Sequence, residues 1–298
     1  MATGTTTGTA TEVAARRRLG WAPYALLAPS LVYLVVFFAM PMINAFGLAF
    51  QGDEGGYSLE PIRRMLGDER FAKALTTTLL LVVIIVPIQF VVAMGMALVV
   101  NARLKGTDLW LYIFALPLGV SELAAGIVWF SIFTEQGWLN SLLTQVGILD
   151  RPFIFLDYQR PTLLILTIVV AEAWRATSIV MIILVAGLQG IPRDYLEAAD
   201  VFGATAWQRV RHVILPLLKP SIRVALILRT ILAFQVFATV IALAGSATNV
   251  LAGEAYRWYQ NLRDARVAAA YASLILILSV VSTVLFLLLL PTEEDRPP

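Results

Sequence analysis

Six blocks of this sequence are predominantly apolar over lengths that match the thickness of a membrane. A helix needs about 20 such residues to cross the hydrocarbon core of a bilayer, and each block reaches that length. Because lipid cannot satisfy open backbone groups, the expected fold is all-α, a polytopic membrane protein with six transmembrane helices. The predicted spans are residues 21–43, 75–100, 109–133, 162–188, 222–244 and 267–290.

The composition supports a membrane protein and excludes several other classes. The 298 residues are 59% hydrophobic and 14% charged, against about 45–50% and 25% in soluble domains. With no cysteine and a single histidine, the chain offers neither a thiolate metal site nor a Ser-His-Asp catalytic set. It also has no Gly-x-x-x-x-Gly-Lys-Ser/Thr loop to hold phosphates. We therefore predict no enzyme activity, no metal and no cofactor bound by this chain, and a net charge of +2 gives no indication of a nucleic-acid partner.

A polar, helix-forming loop separates the fourth and fifth apolar blocks. Pro192 suits the first turn of a helix, where its missing N–H costs nothing. Gly203 is expected to end that helix, because glycine adopts the left-handed conformation without a Cβ penalty. Thr205 and Gln208 have the spacing of a capping box, which predicts a second helix. The loop is thus predicted to be a helix, a turn and a helix, although a connector lying on the lipid surface would show the same pattern.

The residues of this loop also carry a family resemblance. The pattern Glu197-Ala198-Ala199, then Gly203, then Val213 with Leu215-Pro216, resembles the cytoplasmic coupling loop of importer-type ABC permeases. The approach to the loop, residues 186–192, is similar to that of sugar permeases. The resemblance covers most of the chain. It is to the maltose, trehalose and glycerol-phosphate branch, in the form of the first of the two permease subunits.

The resemblance implies a fold, a function and a set of partners. The fold would be that of a type I ABC importer permease, and the function the ATP-driven import of a carbohydrate, such as the disaccharides trehalose or maltose. The partners would be a second homologous permease, a dimer of ATPase subunits that bind ATP and Mg, an extracytoplasmic sugar-binding protein, and membrane lipid. The residues of the loop expected to engage the ATPase are Tyr195, Leu196, Glu197, Ala198, Ala199, Phe202, Gly203, Thr205, Trp207 and Arg211.

The resemblance also sets the expected organisation of the chain in a bacterial inner membrane. Residues 1–20 are predicted to be a disordered cytoplasmic tail, and residues 21–70 the first transmembrane helix with an outer loop. Residues 71–291 would form the permease core, with the coupling loop at 190–220, and residues 292–298 a second cytoplasmic tail. Arg16, Arg17 and Arg18 precede the first span, which favours a cytoplasmic N-terminus by the positive-inside rule.

Charged and aromatic side chains inside the predicted spans are candidates for a substrate path. An ionisable residue costs at least about 2.5–3.5 kcal/mol at the centre of a membrane helix, so each should face the bundle interior with a partner. Glu172 and Arg175 are spaced to pair on one helix. The alternatives are ion pairs that only clamp the helices together, and a proton relay. The candidate path residues are Glu122, Trp129, Glu172, Arg175, Arg229, Phe234 and Gln235.

Other functions remain open at this point. Within the same family, the cargo could be glycerol phosphate or another polar solute. A secondary transporter driven by an ion gradient would have inverted repeats and broken mid-membrane helices, and the sequence indicates neither, although Pro87 and Pro117 interrupt spans. An intramembrane enzyme would need a catalytic set, which the sequence lacks.

Overall fold

The structure is a computed structural model that describes residues 22–53, 55–102 and 105–291. The predicted tails at 1–20 and 292–298, and the Arg16–Arg18 cluster, lie outside these residues. The described chain is helical and contains no β-strand. The all-α prediction is therefore confirmed.

Four helical spans are continuous and two are broken. The continuous spans are Pro23–Leu48, Phe71–Asn101, Pro161–Gln189 and Ala265–Leu289. The broken ones are the pairs Thr107–Gly119 with Glu122–Gln145, bent by 102°, and Lys219–Phe234 with Ala238–Ala244, bent by 49°. Six spans result if each bent pair counts as one. The helices are α1 Ala22–Leu34, α2 Met40–Leu48, α3 Glu60–Leu66, α4 Phe71–Asn101, α5 Thr107–Ala115, α6 Glu122–Phe133, α7 Trp138–Gln145, α8 Pro161–Gln189, α9 Arg193–Val201, α10 Ala206–Arg209, α11 Leu215–Leu217, α12 Lys219–Phe234, α13 Ala238–Ala244, α14 Leu251–Gln260 and α15 Ala265–Leu289.

The third predicted span, residues 109–133, is not one helix. After α5 the chain makes a 3₁₀ turn at Leu116–Gly119 and becomes extended at Val120. The Oγ of Ser121 then accepts the N–H of Ala124 at 3.2 Å and caps α6. Proline and glycine break the helical ladder here, and a new N-cap begins the next helix. The sequence predicts one span that Pro117 interrupts, and the structure shows two helices here with a bend of 102° between them.

The fifth predicted span, residues 222–244, is also two helices, but without a local breaker. α12 ends at Phe234 and α13 begins at Ala238, with no proline or glycine between them. Phe237 has the non-helical angles φ −144° and ψ −55°. The exposed N–H groups of the new helix need an acceptor, and a residue of α6 supplies it, as described below.

Small residues set how closely the spans pack. A Cβ at Gly126 would lie 2.6 Å from the Cβ of Ala242, so α6 and α13 are in close contact. A Cβ at Gly187 would lie 2.2 Å from the Oγ of Ser221, so the end of α8 crosses directly over the start of α12. α4 runs along α8 through the centre of the bundle, and α12 packs on both.

The first span stands apart from this bundle. Its most apolar stretch is 0% buried by the described chain, while α2 touches α15. A π-helical turn at Val35–Ala39 precedes α2, next to Pro41, which lacks the N–H that a regular ladder needs. The face of this span is therefore left for lipid or for another protein.

A cluster of ionic contacts ties the loop between α3 and α4 to α14, at the end of the bundle away from the polar loop. Asp68 accepts hydrogen bonds from Trp258 Nε1 at 2.8 Å, from the backbone N–H of Arg70 at 3.0 Å and from Arg257. Partial burial opposes ionisation of Asp68, but these hydrogen bonds outweigh it and lower its pKa. Arg257 also pairs with Glu254 one turn earlier on the same helix, and the contacts of Arg257 and Trp258 with Asp68 hold α14 against this loop.

Candidate translocation site and coupling loop

Glu172 of α8 is the hub of a polar network in the middle of the bundle. Its side chain is 0% exposed and that of Arg229 is 1% exposed. Arg229 Nη2 donates to Glu172 Oε2 at 3.2 Å. Arg175 donates to both carboxylate oxygens, at 3.1 and 3.0 Å, which is the pairing expected from the spacing. Thr239 Oγ1 donates to Glu172 Oε1 at 2.7 Å. One carboxylate therefore joins α8, α12 and α13.

Gln89 brings α4 into the same network. Its Nε2 donates to the backbone carbonyl of Glu172 at 2.6 Å, and its Oε1 accepts from Arg229 Nε. The residue is fully buried. A buried amide needs both its donor and its acceptor satisfied, and here both act on the Glu172–Arg229 pair.

The side chain of Glu122 binds backbone N–H groups, which its charge alone did not indicate. Its Oε1 accepts the backbone N–H groups of Phe237, Ala238 and Thr239, at 2.9, 2.8 and 3.3 Å. It forms no ion pair in the part of the chain that the structure describes. Glu122 therefore links two spans, but through backbone hydrogen bonds and without the ion pair that the clamping alternative expects. A carboxylate from α6 caps the first turn of α13, where negative charge is favourable, and so stabilises the break in the fifth span.

A cavity of about 210 Å³ opens beside this network. It brings together four of the predicted path residues, and its nine lining residues are Pro117, Leu118, Glu122, Arg175, Ala176, Ile179, Arg229, Leu232 and Gln235. Arg229 Nη1 is buried and has no hydrogen-bond partner among the described residues. Such a donor normally has an acceptor. The cavity therefore has charged walls and an unsatisfied donor close to it.

The remaining predicted path residues do not line this cavity. Glu172 is separated from the cavity by Arg175 and Arg229, which do line it. Trp129 stacks on Phe133 with ring centroids 5.2 Å apart and meets Trp174 edge-on at 6.0 Å. Phe234 is 5% exposed and belongs to a hydrophobic core cluster. The structure thus places Trp129 and Phe234 in packing positions.

The polar loop between α8 and α12 has the predicted local structure, with one shift. Pro192 precedes α9 as its N-cap instead of lying in its first turn. Gly203 follows the helix with φ +71°, the left-handed conformation that glycine allows. Thr205 and Gln208 form both hydrogen bonds of the capping box. The loop is therefore a helix, a turn and a helix, as the sequence predicts.

The two loop helices are held together and present an apolar surface outward. Arg209 Nη1 pairs with the two carboxylate oxygens of Asp200 at 2.7 and 2.9 Å, which connects α10 to α9. Phe202 is 90% exposed and Trp207 is 68% exposed, and we call the exposed aromatic and aliphatic side chains of the loop its apolar ridge. The ridge comprises Tyr195, Val201, Phe202 and Trp207.

The other predicted coupling residues differ in their surroundings. Leu196 packs against the core cluster at this end of the bundle, and Ala199 is half-buried. The exposed members are Glu197, Ala198, Gly203, Thr205 and Arg211. Leu196 therefore anchors α9 to the bundle, and the exposed residues are available for contact.

Sequence reasoning did not find several residues of these two sites. Val201 is 85% exposed beside Phe202. An aliphatic residue next to an aromatic one at the end of a polar helix is a sequence signal that could have indicated its place in the exposed apolar surface. Asp200 and Arg209 lie nine residues apart across a turn, and the sequence does not predict this pair because neighbours on one helix face are three or four residues apart. Thr239 reaches Glu172 only because the fifth span breaks, which no local pattern predicts.

Comparison with known proteins now identifies the group to which this chain belongs. Residues 70–292 match the family described as binding-protein-dependent transport system inner membrane component. The chain belongs to this family. It is also 33% identical over 282 residues to the trehalose transport system permease protein SugA of Mycobacterium tuberculosis, covering 92% of this chain and 88% of that protein.

Two further similarities agree with this membership of the inner membrane component family. The trehalose/maltose transport system permease protein MalF of Thermococcus litoralis is 30% identical over 275 residues, covering 89% of this chain and 92% of that protein. A crystal structure of a bacterial ABC transporter involved in the import of the acidic polysaccharide alginate superposes with a TM-score of 0.77 at 21% identity, covering 93% of this chain and 98% of that chain. The chain therefore has the fold of an ABC importer permease.

Proposed function

We propose that this chain is the transmembrane permease subunit of an ATP-driven importer that translocates a carbohydrate, a disaccharide such as trehalose or maltose. The family match and the names of the relatives support a transport permease. The cavity bounded by Glu122, Arg175 and Arg229 supports a polar cargo, because charged residues inside a membrane bundle mark polar pathways. The observation that carries the substrate path is the buried Arg229 guanidinium at the cavity wall, whose Nη1 has no acceptor among the residues that the structure describes.

The cavity offers the chemistry that a sugar hydroxyl needs. A hydroxyl both donates and accepts a hydrogen bond. Arg175 is an N–H donor, Gln235 an amide with donor and acceptor, and the second oxygen of Glu122 an acceptor that no N–H of the described residues occupies. Glu172 acts as a positioning residue, because it holds Arg175 and Arg229 in place from behind. Trp129 and Phe234 keep the walls packed.

The driving force comes from a separate ATPase dimer that binds ATP and Mg. Support for this comes from the apolar ridge on the loop. Phe202, at the end of α9, is 90% exposed, and exposed apolar side chains grouped in this way are typical of a docking surface. Phe202 and Trp207 insert into the ATPase surface, and exposed Glu197 pairs with one of its cations. Leu196 connects this contact to α8 and α12 through the core cluster at this end of the bundle, so that movement of the ATPase reaches the Glu172 network.

Further partners complete the importer. A second homologous permease subunit pairs with this one, and the exposed face of the first span supports a helix that packs on another chain. An extracytoplasmic sugar-binding protein delivers the cargo to the end of the bundle away from the loop. The loop and both termini are cytoplasmic, in the inner membrane of a bacterium.

Uptake by the reconstituted complex tests this function. Vesicles containing the chain and its copurifying subunits are loaded with ATP, and labelled trehalose, maltose and glycerol phosphate are supplied with the binding protein. We expect ATP-dependent uptake of a disaccharide, loss of uptake in Phe202→Ala with the complex still inserted, and normal uptake in the control Tyr57→Ala, whose side chain is 99% exposed at the other end of the bundle. Uptake that persists without ATP but collapses with an ion gradient would overturn the proposal.

A further inference from the structure

A second cavity lies along α13, from Phe237 at its start to Gly245 at its end, and none of its lining residues belongs to the coupling loop. It measures about 220 Å³. It exists because Gly245 ends α13 with φ +53° and ψ −128°, a conformation that favours glycine. The chain then runs without helix until α14, whose first backbone N–H, that of Leu251, donates to Thr78 Oγ1 of α4 at 2.9 Å. The cavity lies between this turn and α14.

Two aromatic rings form one wall of this outer cavity. Phe237 and Tyr256 have ring centroids 5.1 Å apart and planes inclined by 36°. Tyr256 is 47% exposed. The Phe237 ring lies against α14 at Gly253, where a Cβ would be 3.6 Å from the ring, an ordinary van der Waals contact. An exposed ring beside a cavity offers a π-face to weakly polarised C–H groups such as those of a pyranose.

The opposite wall consists of polar groups, several of them without partners. The side chains of Ser246, Thr248, Asn249 and Asn261 line the cavity and make no hydrogen bond within the described ranges. Glu254 is 3% exposed, and only its Oε2 is engaged, by Arg257. The wall therefore presents amides, hydroxyls and a carboxylate oxygen at fixed positions.

Two cations line this cavity, and they differ in their partners. Arg257 is paired with both Glu254 and Asp68, so its guanidinium is already neutralised. The guanidinium of Arg70 forms no ion pair among the described residues, so it can donate hydrogen bonds to the oxygens of a ligand. The volume is below the about 300–1,000 Å³ of pockets for drug-sized ligands, which favours a single sugar ring over a whole disaccharide.

From these observations we infer that the outer cavity is a carbohydrate subsite, which holds one pyranose ring between the Phe237–Tyr256 rings and the amides of Asn249 and Asn261. The inference rests on the proposed function, and it adds a second binding position to the cavity at Arg175 and Arg229. Phe237 connects the two positions, because its ring borders the outer cavity and its N–H is held by Glu122 at the inner one.

Photo-crosslinking tests the subsite directly. The assembled importer, purified with its copurifying subunits, is irradiated with a diazirine derivative of trehalose, and the labelled peptides are mapped by mass spectrometry. We expect adducts within residues 246–261 that excess trehalose suppresses. Tyr256→Ala should lower this labelling about 3- to 10-fold, the loss expected for one aromatic contact. Tyr259→Ala is the matched control, because Tyr259 is 57% exposed on the same helix and does not line the cavity.

The outcomes separate this inference from the proposed function. Labelling at 246–261 that depends on Tyr256 supports the outer subsite, whether or not the inner cavity is also labelled. Labelling only within 172–179 or 229–235 overturns the outer subsite and leaves the proposed function standing. Labelling at neither place overturns both, and equal labelling of Tyr256→Ala and wild type overturns the subsite. In uptake assays, Tyr256→Ala should raise the KM for the sugar with little change in the maximal rate, which a merely misfolded variant would not show.

Discussion

Replacement of Glu172 by Gln should destabilise the bundle more than any other single loss of charge described here. The carboxylate is 0% exposed and accepts hydrogen bonds from Arg229, Arg175 and Thr239. In the variant the guanidinium of Arg229, 1% exposed, loses its ion-pair partner and keeps only the neutral amide oxygens of Gln89 and of the new glutamine as acceptors. Loss of one member of a buried ion pair costs about 3–5 kcal/mol, because the other charge stays buried and uncompensated.

The size of this effect can be measured and assigned to the pair. The free energy of unfolding is determined in bilayer discs for Glu172→Gln, Arg229→Met and the double variant. We expect a loss of about 3 kcal/mol or more for Glu172→Gln, and a double variant that is at least about 1 kcal/mol more stable than the sum of the single losses predicts, since contacting residues are coupled. Glu69→Gln is the control, as Glu69 is exposed. Additive losses, or a stable Glu172→Gln, would refute the reasoning.

Three other predictions follow from separate parts of the fold. Gly187→Ala should lower the free energy of unfolding by about 1–3 kcal/mol through overpacking, since its Cβ would lie 2.2 Å from a hydroxyl of α12. The control Gly95→Ala meets nothing within 4 Å and should be neutral. Equal unfolding temperatures for the two variants would contradict this prediction. Glu122→Ala should speed hydrogen exchange at the N–H groups of 237–239 by tenfold or more, about the loss of a hydrogen bond to a charged acceptor, and unchanged protection there would show that the cap is unimportant. The pKa of Asp68 is lowered in the folded protein, so its ionised carboxylate stabilises the fold above the ordinary pKa of about 3.9, and this stabilisation is lost as pH falls through the lower folded value. In Asp68→Asn, the free energy of unfolding measured against pH should no longer show this loss at acid pH. An unaltered dependence on pH would argue against it.

Much of the architecture was readable from the sequence because it depends on local physical chemistry. Hydropathy located the spans, since the length of an apolar run decides whether a helix crosses a bilayer. The turn at Gly203 and the capping box at Thr205 were predicted because a left-handed residue and an N-cap act within a few residues. The Glu172–Arg175 pair was predicted for the same reason, because it lies within one helical turn.

The features that sequence reasoning missed depend on distant contacts. The break between α12 and α13 has no proline or glycine, and is stabilised by Glu122 from another span. The approach of Thr239 to Glu172 follows from that break. The break in the third span had local signals in Pro117, Gly119 and Ser121, but hydropathy is uniform across it. The outer cavity is formed by Gly245 and α14 together with Phe237, residues whose meeting depends on the whole fold.

The most direct test of the account concerns the coupling loop, because the claim that a separate ATPase drives this chain depends on what that loop contacts. The chain contains no cysteine, so a single Phe202→Cys variant introduces one reactive position on the apolar ridge. Treatment of native membranes with a short thiol-to-amine crosslinker should join it to an ATP-hydrolysing subunit, while Tyr57→Cys, at the opposite end of the bundle, should not be joined to that subunit. If Phe202→Cys captured no ATPase, or were labelled by an impermeant reagent from outside the cell, the account would be contradicted.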